Sequence, residues 1–295
     1  MPEVERETLE ADVLIVGAGP AGLSCALRLA QLLNSYNKNA GGGHALRTEN
    51  IYVIEKAGEI GAHCLSGAVL DPRALRELIP NFKEQDAPVE SPVTGDSVYF
   101  FTKSGQWKLP IDPPFLRNHG NFLVSINKFV KWMGVQAEDA GLSLFPGFAG
   151  SEILYEGSRV IGVRTDDKGL DHAGHPKPNF QPGIDIRAKI TVFAEGPRGS
   201  LAKPFIAKLG LDQGRNPQTY ALGVKELWEI PPVASPGGTS STPPVGHSAR
   251  GSSVAVLSMH FRKRFSRWAW WQGSTTKIRA LIRTMPSSSL RLTLG

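Results

Sequence analysis

An α/β fold organised around one strand–turn–helix–strand unit is predicted by three observations. The apolar run Val13-Leu14-Ile15-Val16 leads directly into Gly17-Ala18-Gly19-Pro20-Ala21-Gly22. Leu23, Ala26, Leu27, Ala30 and Leu33 then recur at helical spacing. A second short strand, Ile51-Tyr52-Val53-Ile54, ends in Glu55. Strand, glycine turn, helix, strand and acid in that order form the layout of a Rossmann-like, dinucleotide-binding βαβ unit.

Each part of that unit has a physical task. Gly17 permits the tight turn out of the first strand, and Gly19 lets the backbone approach a pyrophosphate with no Cβ in the way. Gly22 allows the helix to pack closely on the sheet. Ala18, Pro20 and Ala21 complete the turn, where free N–H groups and the positive end of the helix dipole attract phosphate. Glu55 is placed to accept hydrogen bonds from adenosine ribose hydroxyls. It follows Gly22 by 33 residues, against a usual interval of about 20. The excess maps to Asn34–Asn50, which lacks apolar periodicity and contains Ala-Gly-Gly-Gly, and reads as a solvated loop. Lengthening a loop there costs little free energy.

A chain of 295 residues buries a sizeable core and holds one large domain or two small ones. No apolar run reaches the length of a transmembrane helix. The acidic stretch Met1–Glu10 reads as no targeting segment. With two cysteines, Cys25 and Cys64, the chain cannot supply a four-thiolate iron–sulfur site or a disulfide scaffold. The net charge of +6 conceals two kinds of sequence. All 27 acidic residues lie at or before Glu229, whereas residues 247–295 hold nine Lys/Arg, leaving the remainder at −3.

Along the chain, Lys56 to Ala68 is a loop of glycines and small residues (Gly61-Ala62-His63-Cys64-Leu65-Ser66-Gly67) that lets a flat ring or phosphate lie close to backbone. An ordinary surface loop is the alternative. Asp71 to Ile79 is a short helix, with Asp71 as its cap and Pro72 in its first turn. Pro80 to Asn118 is proline-rich, with a strand over Ser97–Thr102. Asn127 to Ala140 is a helix with Phe129, Val130, Met133, Ala137 and Ala140 on one face, and Trp132 beside them reads as core. Leu142–Phe145, Ser151–Tyr155 and Arg159–Arg164 are strands, the last two forming a hairpin. Asp171-His172-Ala173-Gly174-His175-Pro176 reads as a solvated hairpin tip, not a metal site. Ile184 to Ala194 is a strand that runs into Glu195-Gly196-Pro197-Arg198-Gly199, a second place where strand-end backbone faces a ligand. A βα turn without a ligand is the alternative there. Leu201–Leu209 is a helix and Tyr220–Trp228 a strand.

Together these residues identify a family. The βαβ unit, Glu55-Lys56-Ala57-Gly58-Glu59-Ile60-Gly61-Ala62-His63, Leu65-Ser66-Gly67-Ala68 and Asp71-Pro72 carry the resemblance. So do Pro92-Val93-Thr94, Asn118-His119-Gly120-Asn121, Lys131-Trp132-Met133-Gly134, Phe193-Ala194-Glu195-Gly196, Pro217-Gln218-Thr219-Tyr220 and Lys225-Glu226-Leu227-Trp228. The chain resembles electron-transfer flavoprotein–ubiquinone oxidoreductase. That resemblance implies an FAD-binding domain of the glutathione-reductase-like type with inserted β-rich substrate-domain segments. It implies electron transfer from reduced electron-transfer flavoprotein, through FAD and a 4Fe–4S cluster, to ubiquinone. It also implies peripheral association with the mitochondrial inner membrane, and no nucleic-acid partner. Carried onto this sequence, Gly17, Ala18, Gly19, Pro20, Ala21 and Gly22 hold the FAD pyrophosphate and Glu55 and Lys56 the adenosine side. Gly61, Ala62, His63, Leu65, Ser66 and Gly67 line the flavin, and Ala194, Glu195 and Gly196 form a further FAD contact. No catalytic side chain and no metal ligand is implied, because the flavin carries the chemistry.

The resemblance stops after Trp228. Residues 1–80 are expected to form the first part of the FAD-binding domain, 81–185 interleaved substrate-side segments, and 186–230 further FAD-domain and β segments. Residues 231–295 form a Pro/Ser-rich linker and basic tail. Trp has one codon, so Trp268-Ala269-Trp270-Trp271-Gln272-Gly273, read one base earlier, permits a glycine- and valine-containing run similar to the family's Gly-Leu-Val-Val-Gly-Leu-Asp-Tyr-Lys-Asn-Pro stretch. The tail is therefore expected to be a shifted reading of the same gene. The cluster ligands are absent from this sequence, and the chain by itself is expected to be inactive. Alternatives are another FAD-dependent oxidoreductase or monooxygenase, or a non-catalytic protein whose basic tail binds nucleic acid or membrane.

Overall fold

The computed structural model describes residues 5–39, 47–64, 67–93, 97–101, 106–108, 110, 114, 117–218 and 268–271. In chain order β1 (Thr8–Val16), α1 (Pro20–Asn39), a single 3-10 turn at Thr48–Asn50 and β2 (Ile51–Glu55) form the opening βαβ unit. Next come β3 (Ala68–Leu70), α2 (Arg73–Leu78), β4 (Val89–Pro92), β5 (Ser97–Phe101), β6 (Gln106–Lys108) and β7 (Phe122–Val124). Then follow α3 (Ile126–Asp139), β8 (Ser143–Pro146), β9 (Gly150–Glu156) and β10 (Arg159–Thr165). The order closes with β11 (Lys168–Leu170), β12 (Pro176–Gln181), β13 (Asp185–Phe193), α4 (Ala202–Leu209) and β14 (Trp268–Trp271).

The chain divides into two units, Met1–Ser91 with Phe122–Thr219, and Pro92–Asn121 with Tyr220–Gly295. The first is built on a six-stranded sheet of order β8-β2-β1-β13-β10-β9. Its β8, β2, β1 and β13 run parallel, and the β9–β10 hairpin joins antiparallel at the β13 edge. A parallel sheet is covered on both faces, which explains why Val13–Val16 is an unbroken apolar run instead of an alternating one. The period of two still shows in what each residue meets. Ile15, Ile51 and Val53 enter a core with α1 and α3 residues Leu23, Ala26, Leu27, Val130 and Met133. Leu14, Val16 and Ile54 enter a second core with Ile153, Val163, Ile186 and Leu201. Leu14, Ile15, Leu23 and Val130 are completely buried, and each such side chain contributes about 1.5–3 kcal/mol on removal from water.

A smaller sheet of order β3-β7-β4, with β3 antiparallel to β7, and the two-stranded ribbon β11–β12 accompany the main sheet. In the second unit β5 lies between β6 and β14, both antiparallel to it. β14 pairs Trp268 with Phe100 and Trp271 with Ser97.

Two boundaries depart from the sequence reading. The helix after the glycine turn does not stop near Asn34 but runs to Asn39. Its last two turns are mostly exposed polar residues, which need no apolar period, so periodicity under-read it. Helix α2 begins at Arg73, with Pro72 preceding it, although Asp71 does accept the Arg73 N–H at 3.0 Å as a capping side chain should. Trp132 is half-buried against Phe129, and its indole N–H donates to the Gln85 carbonyl at 2.8 Å. The tip at Asp171 is a tight turn whose carboxylate accepts the amides of Ala173 and His175. Among the described residues no group of three or more His, Cys, Asp or Glu is placed to hold a metal. No helix among them is long and apolar enough to cross a membrane. The expected strand Tyr220–Trp228 and the reading-frame expectation for the tail, apart from Trp268–Trp271, lie outside the described residues.

Candidate dinucleotide site

Strand order sets where a site forms. From β1 the chain crosses through α1 to β2 on one side, and β13 pairs on the other. The carboxyl ends of β1 and β13 therefore flank a switch point, where open α/β sheets leave a crevice for ligand. The turn from Gly17 to Gly22 and the segment Ala194–Gly199 both leave the sheet there.

Each segment is tied through backbone to the strand end beside it. The Ala194 amide donates to the Val16 carbonyl at 2.8 Å, and the Gly17 amide to the Ile54 carbonyl at 2.8 Å. Gly17 has φ +106, and a Cβ there would lie 2.5 Å from the Ala194 carbonyl oxygen. A Cβ on Gly22 would lie 1.9 Å from the Gly17 carbonyl oxygen. Both positions are closed to any side chain. Gly19 is the reverse: a Cβ there would meet nothing within 4 Å. Thus two glycines make the turn possible and the third keeps its outer side clear. The first turn of α1 carries no acidic residue, so its dipole end is unopposed by side-chain charge. Pro20 and Ala21 are exposed at this end, while Ala18 is buried beneath it. This arrangement fits a pyrophosphate.

Glu55 stands at the tip of β2 and is partly buried. One carboxylate oxygen accepts the Ala18 amide at 3.0 Å, and the other accepts the Ala57 amide at 2.9 Å. The acid thereby fastens the glycine turn to the next strand, a task its place in the motif does not announce. Each oxygen retains a further lone pair for a hydroxyl. Lys56 beside it is exposed.

The loop after β2 is anchored at both ends. The amides of Gly147 and Phe148 donate to the carbonyls of Ala57 and Glu55. The side-chain amide of Asn127 donates to the Gly61 carbonyl at 2.7 Å. Ala62 and His63 lie exposed at the crest of the turn. Cys64 behind them is half-buried, and burial first, then the Glu55 carboxylate, raises its pKa and keeps it a thiol. Gly67 follows, with φ +81 and open space where a Cβ would be. Leu65 and Ser66 lie outside the described residues.

Ala194, Glu195 and Gly196 part company in role. The Glu195 carboxylate accepts the amides of Ser200, Leu201 and Ala202 at 2.8–3.1 Å, capping α4. Its side chain is thereby engaged with the protein. Sequence reading missed both this cap and Asn127. A cap five to seven residues ahead of its amides falls outside the short capping-box spacing, and Asn127 on a helix opposite the loop has no local signal.

The sheet, its switch point and the glycine turn define a Rossmann-type α/β fold. No family model matches the chain. Relatives do. The chain is 47% identical over 237 residues to the probable electron transfer flavoprotein-ubiquinone oxidoreductase of Acinetobacter baylyi, covering 79% of this chain and 40% of that protein. It is 46% identical over 231 residues to the mitochondrial electron transfer flavoprotein-ubiquinone oxidoreductase of Arabidopsis thaliana, covering 77% and 35%. Against the human mitochondrial protein of the same name it is 45% identical over 229 residues, covering 77% and 36%. The matched part of this chain belongs to the electron transfer flavoprotein-ubiquinone oxidoreductase family, and it spans between about a third and two fifths of the length of the curated relatives. Among solved structures, a geranylgeranyl bacteriochlorophyll reductase-like protein of Thermoplasma acidophilum aligns with TM-score 0.42 at 21% identity, covering 64% of this chain and 40% of that one.

Proposed function

We propose that this chain binds FAD at the Gly17–Gly22 turn and serves the reaction for which its relatives are named, electron transfer between electron-transfer flavoprotein and ubiquinone. The carrying observation is the pairing of a turn closed at Gly17 and Gly22 with clear space at Gly19. FAD supplies the electron-accepting and electron-donating ring. The chain's own residues bind and orient it. Gly19 and the amides of Ala21 and Gly22 receive the pyrophosphate, Glu55 with Lys56 takes the adenosine side, and Ala62, His63 and Gly67, with Leu65 and Ser66, line the ring. Ala194 and Gly196 contribute backbone, with Glu195 holding that backbone in place through α4.

The partners in this reading are reduced electron-transfer flavoprotein and ubiquinone, at the surface of the mitochondrial inner membrane. Absorbance of the purified chain in the flavin bands, with and without added FAD, tests the proposal. Flavin at one equivalent per chain is expected; a chain that remains colourless after incubation with excess FAD and gel filtration removes it.

A further inference from the structure

We propose that Asn127 is a positioning residue, which sets the conformation of the loop on which Ala62 and His63 are presented and thereby the affinity for FAD. The inference rests on the FAD reading above but concerns a residue outside the dinucleotide motif. Three contacts carry it. The Asn127 side-chain N–H donates to the Gly61 carbonyl at 2.7 Å. The same carbonyl accepts the Cys64 amide at 2.9 Å, so one oxygen ties the turn to itself and to α3. Gly61 has φ +82, and a Cβ there would lie 2.9 Å from the Asn127 carbonyl oxygen, so the loop backbone rests directly on the first turn of the helix.

The contact continues one and two turns along α3. The Lys131 ammonium lies 3.0 Å from the Glu59 carboxylate, an exposed pair of small energetic value. At Gly134 an added Cβ would meet the Ile60 side chain at 3.1 Å, which shows that α3 has been trimmed to seat the loop. Asn127 differs from Lys131 and Gly134 in that its side chain reaches loop backbone. Ordering a loop before the ligand arrives lowers the entropic cost of binding. The Gly61 carbonyl bond is thus a device for pre-organisation, and loosening it costs affinity without touching FAD.

Asn127→Asp separates this role from a general effect on folding. The shape is preserved, and an acid in the first turn favours α3 through the helix dipole. The donor, however, becomes an acceptor facing a carbonyl oxygen. The expected results are a loss of about tenfold in FAD affinity, the scale of one hydrogen bond, with the thermal midpoint of the FAD-free chain held or raised. Hydrogen exchange in the FAD-free chain supplies an independent readout: the Cys64 amide exchanges faster in Asn127→Asp than in the parent. If that exchange is unchanged, the positioning role is overturned whatever FAD does. If the parent binds FAD and the variant binds equally well, it is overturned also. A parent that fails to bind FAD while Cys64 exchange rises in the variant retires the FAD reading and the affinity claim together, and leaves only the loop contact standing.

Discussion

At the residue scale, the three glycines of one turn make opposite predictions although they occupy one short motif. Gly22 is filled by its own turn, since a Cβ would lie 1.9 Å from the Gly17 carbonyl oxygen. Backbone cannot give way there without moving β1 relative to α1. Gly22→Ala is therefore expected to lose about 2 kcal/mol or more of stability, in the range of overpacked core sites, measured by urea unfolding at neutral pH. Glu55 illustrates how a residue acquires a second task from its surroundings. Its place at the end of β2 was legible from the sequence. Its bonds to the Ala18 and Ala57 amides were not, because they depend on which turn lies beside the strand tip. Asp167 is a third case. The Arg6 guanidinium first, then the Gly183 amide, hold its carboxyl down at about 2. In the unfolded chain it titrates near 3.8. A depressed carboxyl stabilises the fold above its unfolded pKa, and that stability is lost as pH falls from about 4 toward 2. The pair is partly exposed, with side-chain exposures of 18% and 25%, so the contribution is at most about 2 kcal/mol. Urea unfolding at pH 5 and at pH 2.5 should show a larger drop for the parent than for Asp167→Asn; equal drops would exclude this linkage.

At the element scale, α4 hangs on a cap supplied from outside the helix. The Glu195 carboxylate takes the amide of Ala202, the first residue of α4, and those of Ser200 and Leu201 just before it, and negative charge at a helix N-terminus is favourable in its own right. Glu195→Ala should cost about 1–2 kcal/mol, and exchange of the Leu201 and Ala202 amides should rise ahead of those in β13. Elements with strong internal period were legible. The Val13–Val16 run, the apolar face of α3 and the Ile184–Ala194 strand each announced itself, because burial on a helix or sheet imposes spacing that survives in the sequence. What escaped was set by polar surroundings. The final turns of α1 carry exposed Asn, Ser and Lys, which are equally at home in a loop. The pairing of Trp268–Trp271 with Ser97–Phe101 joins residues far apart in the chain, and no local pattern specifies such a register.

At the scale of the whole molecule, strand order does the deciding. The sequence shows one βαβ unit and, far downstream, a strand that stops at small residues; the sheet places that strand next to β1, so the Ala194 segment and the glycine turn share one switch point. Neither segment alone distinguishes a ligand site from a βα turn; the sheet brings the two together at its carboxyl edge, where open α/β sheets leave a crevice. Family membership of the matched part then narrows the dinucleotide to FAD as a proposal. Gly19 offers the most direct test, because the space beyond it is open and a side chain there meets no protein atom. Titration of FAD into the parent and into Gly19→Val, followed by flavin fluorescence, should give saturable binding at one equivalent in the parent. In Gly19→Val affinity should fall by at least about a hundredfold, consistent with a side chain occupying the phosphate's place, at an unchanged thermal midpoint for the FAD-free protein. Equal FAD affinity in the two proteins would contradict the account, since the cofactor would then lie elsewhere than on this turn.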